Sequence, residues 1–201
     1  ELWGPDQPST RGALAGAKVL AYLSASPITI GKARESHELC KVQSTRLMGA
    51  YFYSAAGYGD STTDLSWDGQ GAIYELGGLM AEGTRFALGE QMTLADIDLE
   101  RIRLERSRTP TFADAARTAG APARRISFRL DPPAGDLGLM RRLDRLPYVP
   151  DDTAQRDQDC YEAYNIQVHG LIRRLEATGC QRLVIGVSGG LDSTQALLVA
   201  A

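Results

Sequence analysis

The feature that most restricts the fold is the run Gly186-Val187-Ser188-Gly189-Gly190-Leu191-Asp192-Ser193, which follows the apolar stretch Leu183 to Val187 and leads into a helical pattern from about Leu191. Glycines at 189 and 190 can adopt backbone angles closed to other residues and let amides approach an anion closely. The N-terminus of a following helix adds unpaired N–H groups and a partial positive charge. A strand, a glycine loop and a helix in this order predict a phosphate-binding turn. The bland alternative is a ligand-free glycine turn in which Asp192 caps the helix. No Lys-Ser/Thr pair closes the loop, so a P-loop lysine is not what neutralises the terminal phosphates here.

The charge pattern narrows the partners. The 22 basic and 25 acidic residues are interleaved, giving a net charge of -3 and no basic patch for nucleic acid. The apolar runs fall far short of the ~20 residues a membrane helix needs, and no signal-peptide pattern opens the chain. Cys40, Cys160 and Cys180 form no CxxC pair and are odd in number, which argues against a secreted disulfide framework and for the cytosol. His37 and His169 lack neighbouring ligand spacing and are read as ordinary side chains.

Periodicity outlines the elements. Ala17 to Ser24 reads as a strand broken by Ser26-Pro27, the stretch from about Lys32 to Arg46 as polar and helix-compatible, and Ala50 to Ala56 as a buried aromatic strand. Gly71 to Glu75, Leu79 to Phe86 and Met92 to Leu99 read as strands of an antiparallel meander, and Glu100 to Arg108 as a solvated helix without chemistry. Prolines at 110, 122, 132, 133, 147 and 150 interrupt residues 109–150, although Ile126, Phe128 and Leu130 alternate like one short strand. This stretch reads as an interdomain connection. Beyond it, Tyr161, Tyr164, Val168, Leu171, Ile172 and Leu175 mark an amphipathic helix, with Asp151 or Asp152 as N-cap and Gly179 just past its end. The absence of an initial methionine and the apolar run Leu197 to Ala201 are expected to reflect cut ends.

Ser188-Gly189-Gly190-Leu191-Asp192-Ser193 resembles the signature of the PP-loop ATP pyrophosphatases. Asp159 to Val168, together with Val184 to Ser188, resembles the opening of the synthetase domain of bacterial glutamine-dependent NAD synthetases. Glu1-Leu2-Trp3 resembles the tail of that family's nucleophile motif, Ser24-Ala25-Ser26-Pro27 its substrate strand, and Ser61 to Leu65 with Trp67-Asp68-Gly69 extend the similarity. So does the segment from Asp131 to Asp136.

The resemblance implies an α/β architecture in three parts. Residues 1–108 would be the C-terminal half of a nitrilase-like α-β-β-α sandwich, 109–150 a linker, and 151–201 the first helix-strand-loop-helix of a doubly wound PP-loop domain of the adenine nucleotide α hydrolase type. It implies ATP held at Gly186, Val187, Ser188, Gly189, Gly190, Leu191, Asp192 and Ser193, with Mg2+ on Asp192 and help from Ser188 and Ser193. Glutamine would be held at Ser26 and Lys32. The substrates implied are glutamine, ATP and deamido-NAD, in a cytoplasmic homo-oligomer without nucleic-acid or membrane partners. Deamido-NAD would be adenylylated and then amidated by ammonia from glutamine.

The family nucleophile, a cysteine, would lie just before Glu1, so no catalytic residue of the glutaminase triad falls within the chain, and Cys40 is read as packing. The chain alone is therefore expected neither to hydrolyse glutamine nor to make NAD. Two departures stand out. Tyr22 stands where the family commonly has Asn, and Lys32 where it has an Arg able to clamp a carboxylate with two parallel bonds. The competing readings are another PP-loop amidating ligase and a non-catalytic interaction module.

Overall fold

The computed structural model describes residues 2–61, 64–119, 123–131, 133–143, 146 and 148–201. Glu1, Thr62, Thr63, Pro122, Pro132 and Pro147, on which parts of the reading above rest, lie outside the described residues. The chain divides into two compact units, Glu1–Arg142 and Leu143–Ala201.

The first unit is organised by a mixed four-stranded sheet in the order β1-β2-β3-β4. β1 (Val19–Ser24) and β2 (Ala50–Ala55) are parallel, in the register Leu20 to Tyr51 and Tyr22 to Tyr53. Their crossover carries α2 (Lys32–Arg46), as parallel pairing requires. β3 (Gly71–Glu75) and β4 (Gly78–Glu82) follow antiparallel, turned tightly at Leu76 and Gly77, whose φ values are +50° and +86°. Alternation along β1 and β2 puts Leu20, Tyr22, Tyr51 and Tyr53 on the same face. Leu20, Tyr51 and Tyr53 belong to the core with Leu2, Cys40, Leu47 and Tyr74, and Tyr22 is partly buried against it.

Burial pushes the Cys40 thiol and the Tyr51 and Tyr74 hydroxyls up to about 12. In the unfolded chain these groups ionise near their ordinary values of about 8.5 and about 10. Because the folded values are the higher ones, the stability linked to these groups is complete below about pH 8.5 and lost progressively as pH rises towards 12. The urea midpoint should therefore fall steadily above about pH 9, and a midpoint that stays level to about pH 11 would contradict the buried placement of the three groups.

Several expected elements differ. A short helix, α1 (Pro8–Leu14), opens the unit with proline in its first turn, a position where the missing N–H costs nothing. β4 ends at Glu82, and Met92 to Leu99 is not a strand. Gln91 instead bonds Thr84 twice, accepting from its N–H at 2.9 Å and donating to its carbonyl at 2.5 Å, so a side chain takes the place of a strand partner. The Asp98 carboxylate accepts from the Arg101 N–H at 2.8 Å and starts α3 (Leu99–Arg108). α3 is not uniformly solvated, because Ile102 is fully buried and the Arg106 guanidinium reaches four backbone carbonyls.

The proline-interrupted stretch begins with α4 (Pro110–Ala119), which packs against α1 and α3. Pro110 breaks nothing there because it occupies the first helical position. Ile126, Phe128 and Leu130 form no strand and are exposed. Alternation alone supplies no hydrogen-bonding neighbour.

The second unit pairs α5 (Thr153–Thr178) with α6 (Leu191–Ala200). The Asp152 carboxylate accepts from the Gln155 N–H at 2.7 Å as N-cap, and Gly179 closes α5 at φ +68°. The Tyr164 hydroxyl donates to the Leu198 carbonyl at 3.0 Å. Leu183 to Val187 is not a hydrogen-bonded strand. Its apolar side chains fit one, but a strand exists only with a neighbour to share its ladder, and the two helices offer none. No helix among the described residues is long and apolar enough to cross a membrane.

Candidate functional site

In the second unit the glycine loop is held in shape from within. Gly189 sits at φ +83°, the left-handed region that favours glycine. The Ser193 hydroxyl accepts from the Ser188 N–H at 3.2 Å, lies 3.3 Å from the Ser188 hydroxyl, and donates to the Gly190 carbonyl at 3.1 Å. Thr194 bonds that carbonyl through both its N–H, at 3.1 Å, and its hydroxyl, at 2.9 Å. Ser188 and Ser193 are thus brought together across the turn.

Gly190 is the N-cap of α6 and provides no side-chain cap, while Asp192 stands in the first turn and does not cap it. A Cβ added at Gly186 or Gly189 would meet no described atom within 4 Å. Internal crowding therefore does not explain either glycine. The loop presents backbone amides and two hydroxyls at a helix N-terminus with a carboxylate in the first turn, a surface suited to an anion accompanied by a hard cation.

In the first unit the structure joins Lys32 to Ser26. Gly31, at φ +89°, turns the chain into α2, and the Lys32 ammonium donates to the Ser26 hydroxyl and the Pro27 carbonyl, each at 2.5 Å. It also lies 5.7 Å from the centre of the Trp3 ring, within cation–π reach. The loop is pinned by Trp67, whose indole N–H donates to the Ala25 carbonyl at 2.9 Å, and by the Ile28 N–H, which donates to the Ser66 carbonyl at 2.8 Å. Tyr22 stacks on Tyr53 and Tyr51, with ring centres 5.8 and 6.5 Å away.

Cys40 is buried, and desolvation holds its thiol protonated, unlike a nucleophile poised for attack. His37 bridges two strands, with Nδ1 2.6 Å from the Tyr74 hydroxyl and Nε2 3.0 Å from the Glu82 carboxylate.

Sequence reasoning passed over two buried carboxylates. Asp68 accepts from Arg85 Nε at 2.6 Å and from the Gln70 N–H at 3.3 Å. Glu75 accepts from both terminal nitrogens of Arg141, at 2.9 and 2.5 Å, and from the Asp98 N–H at 2.7 Å. Neither carries a local signal of its arginine partner. Glu75 and Arg141 are 66 residues apart, so only the folded chain pairs them.

No protein-family model matches the chain. The chain is 55% identical over its full length to a glutamine-dependent NAD(+) synthetase of Mycobacterium leprae and 54% identical to that of Mycobacterium tuberculosis, and it spans 30% of the length of each. Among solved structures, a carbon-nitrogen hydrolase from Helicobacter pylori superposes on 56% of the chain and 42% of its own, with a TM-score of 0.45 and 20% identity. Along its entire length, then, this chain is related to a segment of the glutamine-dependent NAD(+) synthetases.

Proposed function

We propose that this chain forms part of an enzyme that makes NAD(+) from deamido-NAD, ATP and glutamine. The observation that carries this reading is identity of 54–55%, along the whole of this chain, to two proteins named glutamine-dependent NAD(+) synthetase. The glycine loop supports it, because its shape and chemistry suit the β,γ-pyrophosphate of ATP.

In this reading residues 1–108 belong to a nitrilase-like glutaminase portion, 109–150 to the connection, and 151–201 to the opening of a PP-loop portion. The packing of α4 on α1 and α3 favours counting residues 110–119 with the first. Ser26 and Lys32 bind glutamine. The Ser188 and Ser193 hydroxyls and the amides from Gly189 onward bind pyrophosphate. The Asp192 carboxylate, with those hydroxyls, is an oxygen donor set of the kind Mg2+ takes, and the ion would neutralise phosphate charge. The nicotinate carboxylate attacks the α-phosphate of ATP and expels pyrophosphate, which makes an acyl-adenylate mixed anhydride, and ammonia then attacks the acyl carbon and displaces AMP. Three free thiols and the absence of a disulfide among the described residues suit the reducing cytosol.

The test is to incubate the full-length protein containing this chain with ATP, Mg2+ and deamido-NAD, supplying nitrogen as glutamine or as an ammonium salt. Pyrophosphate and NAD(+) should appear with either donor. Pyrophosphate release with neither would sink the proposal. Within the same protein, Lys32→Arg should lower the glutamine KM by up to about tenfold, since one added charge-assisted bond is worth about 1 kcal/mol or more. An unchanged or raised KM would show that Lys32 does not face the glutamine carboxylate.

A further inference from the structure

We propose that Arg141 and Glu75 form a latch that fixes where the chain leaves the first unit, and that Arg141 is thereby a positioning residue for delivery of ammonia from glutamine to the ATP-dependent step. The second half of this proposal rests on the function proposed above. The first half rests on geometry alone.

The Glu75 side chain is completely buried at the end of β3, and the Arg141 side chain is only 15% exposed. Two parallel bonds join them, a fork that fixes direction as well as distance. The carboxylate is further held by the Asp98 N–H at 2.7 Å, and Arg101 stands 3.6 Å from it. Next to Arg141, the Met140 N–H donates to the Asp96 carboxylate at 2.6 Å. Two successive residues of the connecting segment are therefore fastened to the stretch between β3 and the start of α3.

Nothing comparable is seen among their apolar neighbours. Leu137, Leu139, Met140 and Leu143 all expose most of their side-chain surface, so apolar packing does not hold the segment down. Arg142 is the last residue of the first unit, which puts the latch one residue from the point of departure. A buried ion pair is a weak source of net stability but a costly thing to break, so its value here lies in fixing one geometry. In the function proposed above, ammonia made from glutamine at one site is used at another, whereas ammonium added at saturating concentration reaches the second site from solvent. Loosening the point of departure should therefore affect the first route and spare the second.

The experiment compares Arg141→Met and Arg141→Lys in the full-length protein, the lysine variant keeping the charge but losing the fork. Chymotrypsin cleavage between residues 137 and 146 should accelerate roughly tenfold in Arg141→Met and by less in Arg141→Lys, as expected when a buried pair that closes a segment is broken. NAD(+) formation from glutamine should fall roughly fivefold or more, while formation from ammonium and hydrolysis of glutamine each stay within about twofold. Unchanged cleavage overturns the latch. An equal fall with both nitrogen donors overturns the positioning role, since a general structural defect would do the same. If the unaltered protein makes NAD(+) from neither donor, the functional reading fails, and the cleavage arm still decides the latch.

Discussion

Replacing Asp192 by Asn should lower NAD(+) formation roughly 100-fold, whether glutamine or ammonium supplies the nitrogen, with glutamine hydrolysis continuing. In the proposed function both donors feed the same adenylylation, so a defect at its pyrophosphate site would lower both rates alike. Asp192 does not cap α6, so Asn does not remove a local bond that the helix depends on. What Asn removes is the negative charge that would hold Mg2+ beside the phosphates. Ser188→Ala should act in the same direction but less strongly, because the Ser188 N–H keeps its bond to the Ser193 hydroxyl when the side chain is gone. Pyrophosphate release and NAD(+) formation with ammonium are the measurements. An undiminished rate in both variants would remove the loop from the active site.

The second large effect concerns stability. Arg106→Met should destabilise the first unit by about 2–4 kcal/mol, read as a lower urea midpoint and a melting temperature reduced by roughly 5–15 °C. Arg106 Nε donates to the Met48 carbonyl at 2.9 Å, and Nη2 donates to the carbonyls of Ala17 at 2.8 Å and Leu47 at 2.9 Å. Nη1 reaches the Ala13 carbonyl at 3.5 Å, and the guanidinium lies 4.7 Å from the centre of the Phe112 ring. Ala13 lies in the last turn of α1, where its carbonyl also accepts from the Gly16 N–H at 2.9 Å, Ala17 follows three residues after that helix, and Leu47 and Met48 are the C-cap of α2 and the residue after it. A single cation thus serves two negative helix ends at once and ties α3 and α4 to them. Burial lowers the Arg106 pKa, and the group remains a cation because arginine starts so high. Methionine matches much of the stem but donates no bond, leaving partly buried carbonyls unmet. A loss below about 0.5 kcal/mol, typical of an exposed surface change, would show that water takes over these contacts.

Much of the local structure was legible because its determinants are close in sequence. The stretch from about Lys32 to Arg46 reads as polar and helix-compatible and folds as α2. The aromatic run at 50–55 becomes β2, and Asp152 and Gly179 cap α5 through bonds to residues no more than four positions away. Two misreadings share a cause. Met92 to Leu99 alternates as a strand does, yet the Glu75 carboxylate takes the Asp98 N–H and the Asp98 side chain caps the helix that starts at Leu99. Leu183 to Val187 has strand composition without a ladder. Periodicity reports which side chains want burial, not which backbone is there to pair with.

The candidate sites divide along the same line. The glycine loop is contiguous, so its residues, the positive φ at Gly189 and the following helix could be argued from eight letters. Ser26 and Lys32 are close enough that one turn joins them. What only the tertiary structure decided are the pairings across long stretches of chain: Glu75 with Arg141, Arg106 with the ends of two helices, His37 between Tyr74 and Glu82. An arginine or glutamate carries the same local signal whether it is solvated or buried. Its partner is set by the sheet register and helix packing that bring distant residues within reach, and neither is written in its neighbours.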